Sequence, residues 1–301
     1  NYNLLMKKEI ALLSLLLVSC NSSSSSIVSE KDPIEVEERW ASENVYGKLY
    51  IPEQKSNEIV ILSHSAFLTN DSLSSYAYGF AKRGYYAYAF DFCGGSYSSK
   101  SKGNMKDMTI FTEVDNLKTV INNFIDFDKI YLFGTSQGGL VTALTANDIN
   151  VDGQFLLYPA FNIPDEVKNY NSSFSPLGED YINTIKDYDV YSHIGNFKNR
   201  VLIIHGDKDT TVDISYSKKA LNVYKNCSLK IISGAGHGFN KDNFSLFKDY
   251  DEVVTEYKPY ISDPIKSRTR NNILSNNKGN FIKTYLNLLV KYPNIYIEAY
   301  L

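Results

Sequence analysis

Short, unbroken apolar runs recur along this chain, at residues 59–62, 86–90, 130–133, 155–157 and 201–204. Strands of a parallel sheet are covered on both faces, so they lose the apolar–polar alternation of a half-exposed strand. Between the runs the pattern changes to a helical period. Leu73, Tyr76, Ala77, Phe80 and Ala81 form one stripe, and Val114, Leu117, Val120, Ile121, Phe124 and Ile125 form another. Thr112 and Asp115 stand at capping-box spacing at the head of the second, with Glu113 adding favourable charge to its first turn. Strands and helices in alternation predict an α/β fold with a mostly parallel, doubly wound sheet. No internal repeat interrupts the pattern, and 301 residues suit one sizeable domain.

The candidate chemistry sits where one strand passes into a helix. Gly134-Thr135-Ser136-Gln137-Gly138 follows the run at 130–133 and opens the helix-like stretch 139–146. In that context G-x-S-x-G describes a nucleophile elbow: the serine takes a strained turn conformation, and bulky residues two places before or after it would collide. Gln137 would offer its backbone N–H to a developing oxyanion, aided by the positive end of the helix. The motif alone arises by chance in about one chain in ten of this length. The rest of the chain has to supply a base and an orienting acid.

Three histidines follow Ser136. His193 lies in a polar connection, and His205 ends the apolar run 201–204, where a packed strand-end role suits it. His237 lies in the glycine-rich loop Gly234-Ala235-Gly236-His237-Gly238-Phe239, directly after the run 229–233. A loop beyond the carboxyl end of a late strand can carry a base onto a serine at the sheet edge. Two carboxylates compete for the orienting role in His205-Gly206-Asp207-Lys208-Asp209. Asp207, next to the strand, suits a turn-stabilising role, whereas Asp209 can reach toward His237.

These pieces resemble the α/β-hydrolase superfamily from about residue 45 to 239. The matching stretches occur in order: Ile61-Leu62-Ser63-His64-Ser65, Ala81-Lys82-Arg83-Gly84-Tyr85, Phe90-Asp91-Phe92-Cys93-Gly94-Gly95-Ser96, the elbow, His205 to Asp209, and Gly236-His237-Gly238. Gly-Thr-Ser-Gln-Gly-Gly at the nucleophile and Gly-Ala-Gly-His-Gly-Phe at the base are most similar to bacterial esterases of the cinnamoyl/feruloyl type. The resemblance implies a short cap insertion, a Ser136–His237–Asp209 triad and no cofactor. It also implies an oxyanion hole made by Gln137 and a residue of the loop after His64. By position that residue is Ala66, with Phe67 as the alternative. Relatives usually carry glycine where this chain has Ser65, which raises the question of where the loop settles, and often arginine where it has Cys93. A packing role is expected for Cys93. Residues 161–199, rich in aromatics, form the expected cap. Phe67, Phe161 and Phe174 are candidates for an acyl pocket, the other role for the insertion's aromatics being simple packing on the sheet.

The amino terminus adds a location. Met6-Lys7-Lys8, the apolar stretch 10–18 and Ser19-Cys20 compose a secretory signal. Leu17-Val18-Ser19-Cys20 further resembles a lipobox, which predicts lipidation of Cys20, removal of residues 1–20, and residues 21–32 as a polar tether to a membrane. Residues 1–5, which precede Met6, are not expected in the native product. At the other end, residues 243–257 are expected to form a last helix of a domain spanning 33–257. Residues 258–301 read either as a foreign graft dispensable for catalysis or as an extension packed on the core. Cys93 and Cys227 fall at opposite ends of parallel strands, which disfavours a disulfide. No metal-ligand spacing occurs, and a net charge of −3 without a basic block argues against nucleic-acid binding. The expectation is an exported, membrane-tethered serine esterase acting on a small-molecule ester. The alternatives are a peptidase or amidase on the same scaffold, or an inactive ligand-binding lipoprotein.

Overall fold

The computed structural model describes residues 33–169 and 176–239. Cys20 with the signal and tether, Phe174, the helix expected at 243–257 and the extension 258–301 lie outside the described residues. Eight strands among the described residues form one sheet: β1 (Glu35–Trp40), β2 (Tyr46–Ile51), β3 (Glu58–Ser63), β4 (Tyr86–Phe90), β5 (Lys129–Thr135), β6 (Gly153–Leu157), β7 (Arg200–Gly206) and β8 (Cys227–Ile232). Their spatial order is β1-β2-β4-β3-β5-β6-β7-β8. β2 pairs antiparallel with both β1 and β4, and every other neighbouring pair is parallel.

Alternation persists inside the apolar runs, but both sides are buried. Ile59, Ile61, Leu132, Leu156 and Ile203 point into one core, which α2 (Ile110–Asn122) and α3 (Gln137–Asp148) cover. Val60, Leu62, Phe133, Leu157 and Ile204 point into the other, which α1 (Ser74–Ala81) covers together with Phe239. The chain leaves β3 toward β4 on one side and leaves β5 toward β6 on the other. Such a reversal of winding opens a crevice at the carboxyl ends of the two strands, where doubly wound folds place their sites.

Several elements differ from the sequence expectation for identifiable reasons. β1 carries no continuous apolar run, because it is an exposed edge strand. Helix α2 begins earlier than its apolar stripe suggests. Its N-cap is Thr109, whose hydroxyl accepts from the N–H of Thr112 at 3.1 Å while the Thr112 hydroxyl accepts from the Thr109 N–H at 2.9 Å. Buried Ile110 starts the helix, so the capping box is Thr109–Thr112 and not Thr112–Asp115. The helix ends at Asn122, and Ile125 drops off the stripe to lie exposed. Cys93 and Cys227 are both free thiols.

Among its described residues, the insertion after β6 holds the short α-helices α4 (Ile163–Glu166) and α5 (Glu179–Ile185). Tyr181, Ile185, Ile194 and Phe197 join the core on the α2–α3 face. Of the two roles weighed for the insertion's aromatics, Phe161 takes packing: it is 2% exposed, belongs to the same core and meets Tyr191 edge-on. Phe161→Ala should therefore lower the unfolding free energy by about 3–5 kcal/mol. Urea denaturation measures this, and a near-neutral change would show that the ring is not a core anchor.

Candidate active site

Ser136 has φ 51° and ψ −117°, a backbone conformation costly for a residue with a Cβ. Four backbone bonds hold it there. Its N–H donates to the Leu157 carbonyl at 3.0 Å, and its own carbonyl accepts from Gly139, Leu140 and Ala160. The two glycines of the motif make this turn possible. A Cβ on Gly134 would overlap the Gly138 carbonyl, and one on Gly138 would overlap the carbonyls of Ser63 and His64. Helix α3 thus begins in contact with the ends of β3 and β5, with the Ser136 side chain left free of capping.

That side chain meets a base. Ser136 Oγ lies 3.0 Å from His237 Nε2, and His237 Nδ1 lies 2.8 Å from Asp209 Oδ2. The structure brings these three sequence-predicted residues together from the ends of β5, β7 and β8. Tyr158, which sequence reasoning missed, sets its ring edge-on to the imidazole at 4.8 Å and to Phe239 at 5.0 Å. Asp207, the competing acid, has another task. Its carboxylate accepts from the Gly234 N–H at 2.6 Å and from the Ser233 hydroxyl, tying down the loop that carries His237. His193 is remote from these contacts, stacked on Tyr188 and bonded to the Asp189 carbonyl.

Asp209 is enclosed, its side chain having no exposure. Burial alone would raise its carboxyl. N–H donors from His205, His237 and the Val212 backbone outweigh that penalty and hold it well below the usual carboxylate range. The acid therefore stays ionised beside His237, as a group that must stabilise an imidazolium should.

The expected oxyanion loop follows β3. Leu68 N–H donates to the Ser65 carbonyl at 3.2 Å, closing a turn with Ala66 and Phe67 at its centre. Phe67 has φ 61°, so the strained residue of this turn is a half-exposed phenylalanine where glycine is usual. Ser65 anchors the loop: its hydroxyl lies 2.9 Å from Thr135 Oγ1, directly before the nucleophile. Buried His64 fixes the other side. Its Nε2 accepts from the Phe92 N–H at 3.1 Å, which leaves Nδ1–H to donate to the Ser65 carbonyl at 2.8 Å. Burial lowers the His64 pKa, in keeping with that neutral ring. Gln137, as first residue of α3, has an N–H with no partner inside the helix.

Beneath the elbow lies a polar chain. Gln137 Nε2 donates to Glu113 Oε2 at 2.8 Å, and Tyr181 of α5 donates its hydroxyl to Gln137 Oε1 at 2.8 Å. Glu113 is not the solvated first-turn charge that its position suggests. It is 1% exposed, and burial raises its carboxyl to about 8, partly offset by the Gln137 amide. The sequence did hold a signal: Glu113 stands four and seven residues before Leu117 and Val120, on the apolar stripe itself.

An eight-stranded, mostly parallel sheet with a strained serine between β5 and α3 defines the chain as an α/β-hydrolase. Within that class it belongs to the prolyl oligopeptidase family, which matches residues 71–258. Among solved structures it is similar to Est1E from Butyrivibrio proteoclasticus, solved with ferulic acid bound. The identity is 24% and the TM-score 0.59, with 75% of this chain and 96% of that one covered. It is also similar to a monoacylglycerol lipase from Paleococcus ferrophilus, at 17% identity and TM-score 0.54, covering 71% and 99%. The α/β hydrolase GrgF from Penicillium sp. sh18 matches at 13% identity and TM-score 0.57, covering 74% and 98%. No curated protein sequence matches the chain.

The raised Glu113 carboxyl has a stability consequence. The folded protein keeps a proton that the unfolded chain releases above its ordinary value of 4.5. Stability from this site is therefore intact below that pH, falls as pH rises toward about 8, and levels off beyond. The total loss is on the order of a few kcal/mol, since each pH unit crossed between the two values costs about 1.4 kcal/mol. Glu113→Gln keeps an acceptor for Gln137 without the titration and should flatten the decline. Urea unfolding at pH 5 and pH 8.5 tests this; equal slopes in both proteins would contradict it.

Proposed function

We propose that the protein is a serine hydrolase that cleaves carboxylic esters through an acyl-enzyme, with Ser136 as nucleophile. The observation carrying this reading is the unbroken series of hydrogen bonds from Ser136 through His237 to Asp209 on a strained elbow. His237 Nε2 takes the hydroxyl proton as Oγ attacks the carbonyl carbon. The oxyanion that forms is received by the N–H groups of Gln137 and Ala66. Collapse of the tetrahedral species breaks the ester C–O bond, and His237 delivers its proton to the departing alcohol. Water then attacks the acyl-enzyme with the same histidine as base, restoring Ser136 and releasing the acid. Asp209 holds the Nδ1 proton and stabilises the charged ring in both halves.

The loop at Ser65 supports an active enzyme over an inactive binder, since the residue that replaces glycine secures the loop to Thr135. Family membership favours a second reading, hydrolysis of peptide or other amide bonds by the same residues. Hydroxycinnamoyl or short acyl esters are the substrates proposed first. Export and lipid anchoring at Cys20 complete the proposal, resting on the signal-like sequence of residues 6–20.

A fluorophosphonate probe should label the purified protein, and labelling should vanish in Ser136→Ala and His237→Ala. One acyl group offered as ester and as amide separates the two substrate readings: faster ester turnover supports the first, and turnover of the amide at comparable rate the second. An unlabelled, folded wild-type protein would overturn both.

A further inference from the structure

Asp209 serves two histidines. Its Oδ2 lies 2.8 Å from His237 Nδ1 and also 3.1 Å from Nε2 of His205, while Oδ1 accepts from the Thr211 and Val212 N–H groups at 2.9 and 2.8 Å. His205 has no exposure and is the last residue but one of strand β7. Its Nε2 also lies 2.9 Å from the Val212 carbonyl oxygen. Both neighbours of Nε2 are acceptors, so that nitrogen carries the proton and shares it between them. Nδ1 lies 2.7 Å from the hydroxyl of buried Ser217, which donates to it in the neutral ring.

We propose that His205 is a positioning residue for the triad, its Nε2–H locking the Asp209 carboxylate in the plane that presents Oδ2 to His237 Nδ1–H. The proposal rests on the serine-hydrolase reading above. The physical need is plain. The two backbone N–H groups both bind Oδ1, so Oδ2, which turns together with Oδ1 about a broad and soft torsion, takes its own hold from His205 and His237. Its catalytic partner His237 lies beyond β8 on a glycine-rich loop that is fastened through Asp207. His205 belongs to a strand paired on both sides and is held at both ring nitrogens. It thereby ties the carboxylate to the sheet that also carries Ser136. His205 is not itself a base for the serine, because both its nitrogens are engaged within a closed environment.

Two amide substitutions separate positioning from bulk packing. In His205→Gln the side-chain NH2 reaches the place of Nε2 and can donate to Asp209. In His205→Asn the amide falls at the place of Nδ1, where it can meet Ser217 but not Asp209. For the full chain with an ester substrate, His205→Asn should lose kcat with KM little changed. A displaced triad partner can cost on the order of 10²-fold. The rate of fluorophosphonate labelling should fall in parallel, and His205→Gln should keep most of both. Equal losses in the two variants, or full kcat in His205→Asn, overturn the proposal. Should the Asn protein fail to fold, 15N-histidine NMR of the wild type decides: the proton must reside on Nε2 of His205, and its absence there overturns the proposal. A wild-type protein inert to the probe removes the serine-hydrolase reading, and this inference with it. A reactive wild type with an unimpaired Asn variant removes the inference alone.

Discussion

Everything in this site depends on holding Ser136 in a backbone conformation that the chain would not adopt by itself. The cost of such a conformation is on the order of 1–3 kcal/mol. It is offset by four backbone hydrogen bonds, which reach β6, the first turn of α3 and Ala160 just after β6. The turn is tight enough that the helix axis starts at the end of β5 with its N-terminus against β3, and this is why Gly134 and Gly138 cannot carry side chains. Strain and glycine requirement are consequences of one geometric demand: a hydroxyl presented at a helix's positive end.

The remaining groups sit on loops that polar side chains fasten in place. The His237 loop is pinned by Asp207 through Gly234, and its ring is faced by Tyr158. The loop after β3 is pinned by Ser65 to Thr135 and by His64 to Phe92. The polar side chains adjoining the site face one another across elements and are referenced to strand ends. Glycine at position 65 could not make the bond to Thr135. The serine found there replaces conformational freedom with an anchor, while Phe67 carries the positive φ.

The insertion reaches the elbow through Tyr181. Tyr181 reaches Gln137 from α5, and Gln137 in turn meets Glu113 on α2. The residue whose N–H is proposed to receive the oxyanion is therefore gripped by its side chain from two directions. A buried carboxyl held as the neutral acid can remain there without a countercharge, at the expense of stability at higher pH.

Much of the frame was legible in the sequence because it follows local rules. Apolar runs and helical stripes mark both layers of the sandwich, and the glycine spacing around Ser136 is a steric requirement of its turn. His237 could be selected for its place beyond a late strand, and Asp207 and Asp209 could be separated by their distance from β7. Other features depended on distant contacts that no window of sequence contains. Phe161 has the composition of a pocket wall, yet packing puts it in the core. Glu113 has the position of a helix-end charge, yet α3 and α5 bury it. His205, by contrast, stands only four residues before Asp209, yet it is the folded loop after β7 that brings its ring onto the carboxylate facing His237. The sequence by itself determined which residues could take strained, buried or catalytic positions, since these are limits on covalent shape and polarity. Only the tertiary structure decided which polar groups face one another, because hydrogen-bond partners 24 to 101 residues apart are chosen by how the layers pack.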